Sequence, residues 1–78
     1  MSDEATVCAI VARQLGVEHV TAAMRLVEDL RAESLDLVLI AGAIEKTLGV
    51  VVPDRALFAV QTVADVVAAV GQARARAR

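Results

Sequence analysis

Leu30-Arg31-Ala32-Glu33-Ser34-Leu35-Asp36-Leu37 is the stretch whose reading decides the fold of this chain. A charged segment gives way there to an apolar, periodic one, and the change falls at Ser34. Serine suits a helix start because its hydroxyl can accept a hydrogen bond from an unpaired N–H of the first turn. Asp36 adds negative charge where the helix dipole is positive. From Ser34 to Leu48 apolar residues recur at helical spacing, and Gly49 is a natural stop. Advancing about 100° per residue separates two faces. Leu37, Ile40, Ala41, Ile44 and Leu48 share one, with the spacing of a core stripe. Leu35, Val38, Leu39, Gly42 and Lys46 share the other, with Glu45 near Ser34 and Val38. Three aliphatic side chains beside a helix start allow two readings, a docking surface for a partner or a face covered by a neighbouring loop.

Upstream, a first helix is expected from about Asp3 to Leu15, capped by Ser2 or Asp3. Val7, Ile10, Val11 and Gln14/Leu15 fall on one side of it, and Gly16 ends it. Cys8 lies at the edge of that side and reads as a small, partly buried hydrophobe, with no basic partner nearby in sequence. Residues 16–33 then form an eighteen-residue connection, too long for a plain antiparallel hairpin. A crossing loop pinned by Val17, Val20, Leu26 and Leu30 fits better, with room for a short helix around Thr21–Arg25. His19 reads as a surface residue.

Downstream, Val50-Val51-Val52-Pro53 has no second strand candidate to pair with and is expected to be an extended connection. Pro53 disfavours helix at Val52 and suits a helix start. Asp54 is a candidate cap for a short third helix from Arg55 to about Ala59. Thr62-Val63-Ala64-Asp65 has the outline of a capping box with Asp in place of Glu. It opens a fourth helix with a Val63, Val66, Val67, Val70 stripe.

Composition bounds the function. Hydrophobic residues make up 58% of the 78-residue chain, yet Phe58 is the sole aromatic, so the core must be aliphatic. No apolar run approaches the ~20 residues of a membrane span, and Met1-Ser2-Asp3-Glu4 lacks the basic start of a signal peptide. One cysteine excludes an internal disulfide and a thiol zinc cluster. A cytoplasmic location and a monomer are the simplest expectations. The net charge is −2, but Arg74, Arg76 and Arg78 are three of the eight cations, so residues 1–73 carry −5. That divides the chain into an acidic helical domain, 1–73, and a basic tail, 74–78, expected to be disordered. Without aromatic stacking residues or a basic face elsewhere, the tail does not point to nucleic acid.

Enzyme readings fail for lack of parts. A serine nucleophile needs a base oriented by a third group, and His19 stands on a different segment from Ser34. Glu33 and Asp36 flank a helix start, where acids are favoured anyway. No phosphate-binding glycine loop, EF-hand spacing or metal cluster occurs.

Taken in order, Gln14-Leu15-Gly16-Val17, the long loop, Val27-Glu28-Asp29-Leu30, the serine helix, Val52-Pro53-Asp54 and Thr62-Val63 resemble an acyl carrier protein over roughly residues 3–70. The usual signature around the serine, Gly-Ala/Gly-Asp-Ser-Leu-Asp, reads Arg31-Ala32-Glu33-Ser34-Leu35-Asp36 here. Arg31 replaces a glycine and Glu33 replaces an aspartate. The resemblance implies an all-α four-helix bundle, with three longer helices, a short third helix and a long loop between helices one and two. It implies that Ser34 bears 4'-phosphopantetheine, attached from coenzyme A by a phosphopantetheinyl transferase with magnesium. The chain would then carry an acyl or aminoacyl group as a thioester to partner enzymes of a specialised lipid, polyketide or related pathway. The acyl chain would lie between helices two and three, where Ala41 and Ala59 leave room. Glu33, Leu35, Asp36, Val38, Leu39, Gly42 and Glu45 would meet those partners. Ordinary fatty-acid carriers of the family are acidic along the second helix, whereas this one is mainly aliphatic there. The competing reading is an unmodified carrier-fold subunit that binds partners through the apolar face of helix two.

Overall fold

Ser2 starts the first helix as a cap should: in extended backbone, its Oγ accepts the Ala5 N–H at 3.2 Å. The computed structural model describes residues 2–76, which form α1 (Asp3–Leu15), α2 (Ser34–Leu48), α3 (Asp54–Leu57) and α4 (Val63–Arg76). Gly16 and Gly49 end α1 and α2 in the left-handed region, at φ 68° and 69°, a conformation glycine adopts without a Cβ penalty. The fold is an all-α bundle, as expected. None of its helices is long and apolar enough to cross a membrane among the described residues.

α1 packs against both α2 and α4, and α3 does the same. The core stripes are those legible in the sequence: Val7 and Val11 from α1, Leu37, Ile40 and Ile44 from α2, and Val63, Val66, Ala69 and Val70 from α4 are buried. Ala41, Leu48 and Val67 pack at the margin, as do Ile10 and Leu15. Connections contribute as much as helices do. Leu26, Ala32, Val50 and Val52 are buried, and Val51 between the last two points outward. Cys8 lies partly buried against this core, and desolvation, reinforced by Glu4, pushes its thiol up from the ordinary value.

The long loop is pinned more firmly than its apolar residues alone suggest. Val63 N–H donates to the Met24 carbonyl at 3.0 Å, Ala64 N–H to Ala22 at 2.8 Å, and Leu26 N–H to Gln61 at 2.9 Å. Loop carbonyls thus satisfy two first-turn N–H groups of α4 that no residue of that helix can reach. This excludes the short helix expected around Thr21–Arg25: those residues are extended or turned, and Arg25 bridges Thr62. Leu26 is buried, Val20 and Leu30 pack partly, and Val17 is half-buried. The capping box at Thr62–Asp65 forms as read. Asp65 N–H donates to Thr62 Oγ1 at 3.1 Å, while Asp65 Oδ2 accepts from Gln61 and Thr62 N–H at 2.9 and 3.0 Å. Those two backbone donors, Gln61 first, hold the Asp65 carboxyl below the usual range.

Three boundaries differ from expectation, one of them the end of α3, which falls at Leu57 and not at about Ala59. α3 starts one residue early, at Asp54, because the Pro53 carbonyl accepts from Ala56 and Leu57 at 3.0 and 2.9 Å; Pro53, not Asp54, is its N-cap. The basic end expected as a disordered tail is helical through Arg76. Arg74 Nη2 donates to Asp3 Oδ1 at 2.9 Å, tying the end of α4 to the start of α1, and its cations suit a helix C-terminus. The remaining tail residues, 77 and 78, lie outside the described residues.

Candidate functional site

The turn before α2 is built around Asp29. Its Oδ2 accepts from the Arg25 N–H at 2.8 Å, and the Arg25 guanidinium returns to the same carboxylate through Nε at 3.3 Å and Nη2 at 3.2 Å. Arg25 therefore lowers the Asp29 carboxyl below its usual range, first through the side-chain hydrogen bond. Both groups are exposed, so the pair shapes the turn more than it stabilises the domain. Ala32 N–H then donates to the Leu26 carbonyl at 2.8 Å and Arg31 N–H to Val27 at 3.1 Å, which closes the turn. Closing it requires Arg31 to adopt φ 60°. That position accounts physically for the glycine of the family signature, since a side chain in left-handed backbone costs about 1–2 kcal/mol. Arg31→Asn, which tolerates this region better, should therefore raise stability by about 0.5–1 kcal/mol in urea unfolding. A loss instead would mean that the arginine side chain itself holds the turn.

Ser34 is not the cap that its sequence context suggests. Glu33, in extended backbone at φ −102° and ψ 170°, is the N-cap, and Ser34 is the first helical residue. Asp36 reaches back so that its Oδ2 accepts the Glu33 N–H at 2.9 Å. The acid takes the capping duty, and the Ser34 hydroxyl makes no hydrogen bond among the described residues. Ser34 is exposed. An accessible hydroxyl, free of the cap and at the positive end of a fifteen-residue helix, suits phosphorylation-type chemistry, because the dipole and the first-turn N–H groups favour a phosphodiester's negative charge.

The two readings of the outer face of α2 now separate. Leu35 is 67% exposed, Val38 47% and Leu39 45%, so no loop covers them. Ser34, Gly42, Glu45 and Lys46 are exposed on the same side. Glu33 is exposed and Asp36 half-buried at the helix mouth. A Cβ added at Gly42 would meet nothing within 4 Å, so no packing within the chain demands a glycine there. Val51 and Phe58 are also large exposed hydrophobics, at 63% and 55%, and no helical stripe in the sequence contains either. The signal for Val51 was available in the two-residue alternation of Val50-Val51-Val52. Phe58 follows a helix too short for a periodicity to orient it.

Three clefts among the described residues lie elsewhere than between α2 and α3, where the acyl chain was expected. One of about 370 Å³ runs between α1 and α2, with Ile10, Arg13 and Ala43 in its walls. Two others line the α3–α4 junction, and Ala59 borders one of them. Ala41 packs against the core instead of leaving space. His19 is exposed, and no metal-holding group of His, Cys, Asp or Glu occurs among the described residues.

Comparison with known proteins converges on one family. The family model for a phosphopantetheine attachment site matches residues 5–70. An acyl carrier protein of Akkermansia muciniphila is 47% identical over 73 residues, covering 87% of this chain and 91% of the relative. One from Helicobacter hepaticus is 40% identical over 65 residues, covering 81% and 86%. A solved structure from Mycobacterium tuberculosis, described as an acyl carrier protein, superposes with a TM-score of 0.83 at 28% identity, covering 91% of this chain and 97% of the other. With matches this extensive and a bundle of the same architecture, the chain belongs to the acyl carrier protein family, and its domain is a phosphopantetheine attachment domain.

Proposed function

We propose that Ser34 is the residue that bears the arm, and that the chain carries an acyl or aminoacyl group for partner enzymes of a specialised lipid, polyketide or related pathway. The single observation that carries this reading is the exposed Ser34 hydroxyl at the first position of α2, with capping delegated to Asp36. A phosphopantetheinyl transferase would bring that hydroxyl to the pyrophosphate of coenzyme A. The Ser34 Oγ bonds to the phosphorus that bears pantetheine as that phosphorus loses its bond to the bridging pyrophosphate oxygen, adenosine 3',5'-bisphosphate leaves, and the hydroxyl proton passes to a base. When bound, the arm supplies a terminal thiol on which cargo is held as a thioester. The chain itself presents the attachment point, stabilises the phosphodiester at the helix mouth and offers the α2 face to its partners. Glu33, Leu35, Asp36, Val38, Leu39, Gly42 and Glu45 make up that recognition surface. Cytoplasmic action as a monomer accords with this role.

Incubation with coenzyme A and a broad-specificity transferase should add the mass of one arm to the intact protein. Ser34→Ala should add none. The second reading, an unmodified carrier-fold subunit, draws on Arg31, a bulky cation in the turn where the family signature has glycine. An unchanged wild-type mass, with a control carrier modified in the same reaction, would favour it.

A further inference from the structure

We infer that the cleft between α3 and α4 is a binding site for a phosphate-bearing small molecule, independent of the role of Ser34. The cleft, about 270 Å³, is lined by Arg55 from α3, by Gln72 and Arg76 from α4, and by Pro53 and small apolar side chains. Two cations and no carboxylate line it, in a chain with ten acids and eight cations. Neither arginine forms an ion pair among the described residues. Arg25 holds Glu28 and Asp29, and Arg74 holds Asp3. Arg13 and Arg31 also lack an ion pair among the described residues, but neither lines one of the three clefts together with a second cation.

The helix period explains the division of labour at the end of α4. Residues two apart on a helix project to nearly opposite sides, so Arg74 reaches α1 while Arg76 borders the cleft with α3. The Arg74–Asp3 bond also fixes the last turn of α4 against the bundle, which positions Arg76. The neighbouring cleft along the same groove shares Ala56, Ala69 and Gln72 and contains Asp65. Asp65 Oδ2 is held in that neighbouring cleft by the Gln61 and Thr62 N–H groups, and Asp65 does not line the cleft of the two arginines. Ala56, Ala69 and Ala73 let a ligand approach the backbone closely, and Gln72 adds an amide donor. Two guanidinium forks and an amide match the several oxygens of a phosphate dianion, which guanidinium binds through paired, charge-assisted hydrogen bonds. The volume admits a phosphate with a small organic body.

The test is a titration of the ¹⁵N-labelled full chain with glycerol phosphate at constant ionic strength near neutral pH, followed by amide spectra. Saturable shifts confined to the Gln72 side chain and the Ala56, Ala69 and Ala73 amides are expected. Arg55→Gln and Arg76→Gln should each weaken binding by about tenfold; both residues are exposed, so the fold should persist, as a thermal scan would check. Inorganic phosphate should bind the same residues. Shifts that do not saturate, that appear equally around Arg13, Arg31 and Lys46, or that survive both substitutions would overturn the site. Succinate binding as tightly as glycerol phosphate would overturn the assignment to phosphate.

Discussion

Leu26→Ala should remove about 2–4 kcal/mol of stability, whereas Val27→Ala, one residue away, should change it by less than about 0.5 kcal/mol. Leu26 is fully buried and Val27 is 57% exposed, so the pair separates a core anchor from a surface side chain within one loop. A domain of 78 residues is worth on the order of 4–12 kcal/mol, so the first substitution takes a large part of the total. Its effect should also be local. Leu26 N–H and the carbonyls of Ala22 and Met24 join the loop to Gln61, Val63 and Ala64, and amide exchange at Val63 and Ala64 should accelerate more than at Ile44. Urea unfolding measures the first effect and hydrogen exchange the second. Equal losses from both substitutions would show that the loop is not an integral part of the core.

Leu39→Glu, and separately Leu35→Glu, should weaken binding to a cognate acyl-handling enzyme by tenfold or more, at roughly 1.4 kcal/mol for each factor of ten. Binding of the wild type should change little between about 0.05 and 0.5 M salt, a range over which screening of exposed charges becomes severe. The reason is the composition of the outer α2 face. Leu35, Val38 and Leu39 occupy it with one acid, Glu45, and one base, Lys46, so there is little net charge to steer a partner and much aliphatic surface to bury. Both leucines are already exposed, so the fold should tolerate glutamate at either site. Binding that survived Leu39→Glu yet fell steeply with salt would refute apolar docking, and would shift attention to Glu33, Asp36 and Glu45.

The bounds of α1 and α2 were legible because each carries a periodic apolar stripe and stops at a glycine in left-handed backbone. The Thr62–Asp65 box was equally plain, since both of its partners lie within one turn. The loop was harder. Its turned and partly extended course at Thr21–Arg25 is held by hydrogen bonds to Gln61, Val63 and Ala64, far off in sequence, and local propensity carries no trace of them. α3, with four residues, offers too little periodicity to fix its start. At the candidate site, Ser34 and the exposed face of α2 could be read directly. The cap could not, because Glu33, Ser34 and Asp36 all have side chains suited to a helix mouth and only geometry distributes the roles. The departure at Arg31 was visible as a mismatch to the family signature, but its physical meaning needed the backbone angle. The basic end was misjudged because composition reports charge without contacts, and Asp3 stands 71 residues from its partner.

The contact between Asp3 and Arg74 brings the first and last turns of the helical unit side by side. A polypeptide threaded through this unit enters and leaves along one edge, so the whole module can be spliced into a longer chain with little displacement of the sequences on either side. By the same geometry, a short linker could join these two turns and new ends could be opened at Glu18–His19, within an exposed part of the long connection. Such a rearranged chain would keep Ser34 and its surrounding turn uncut.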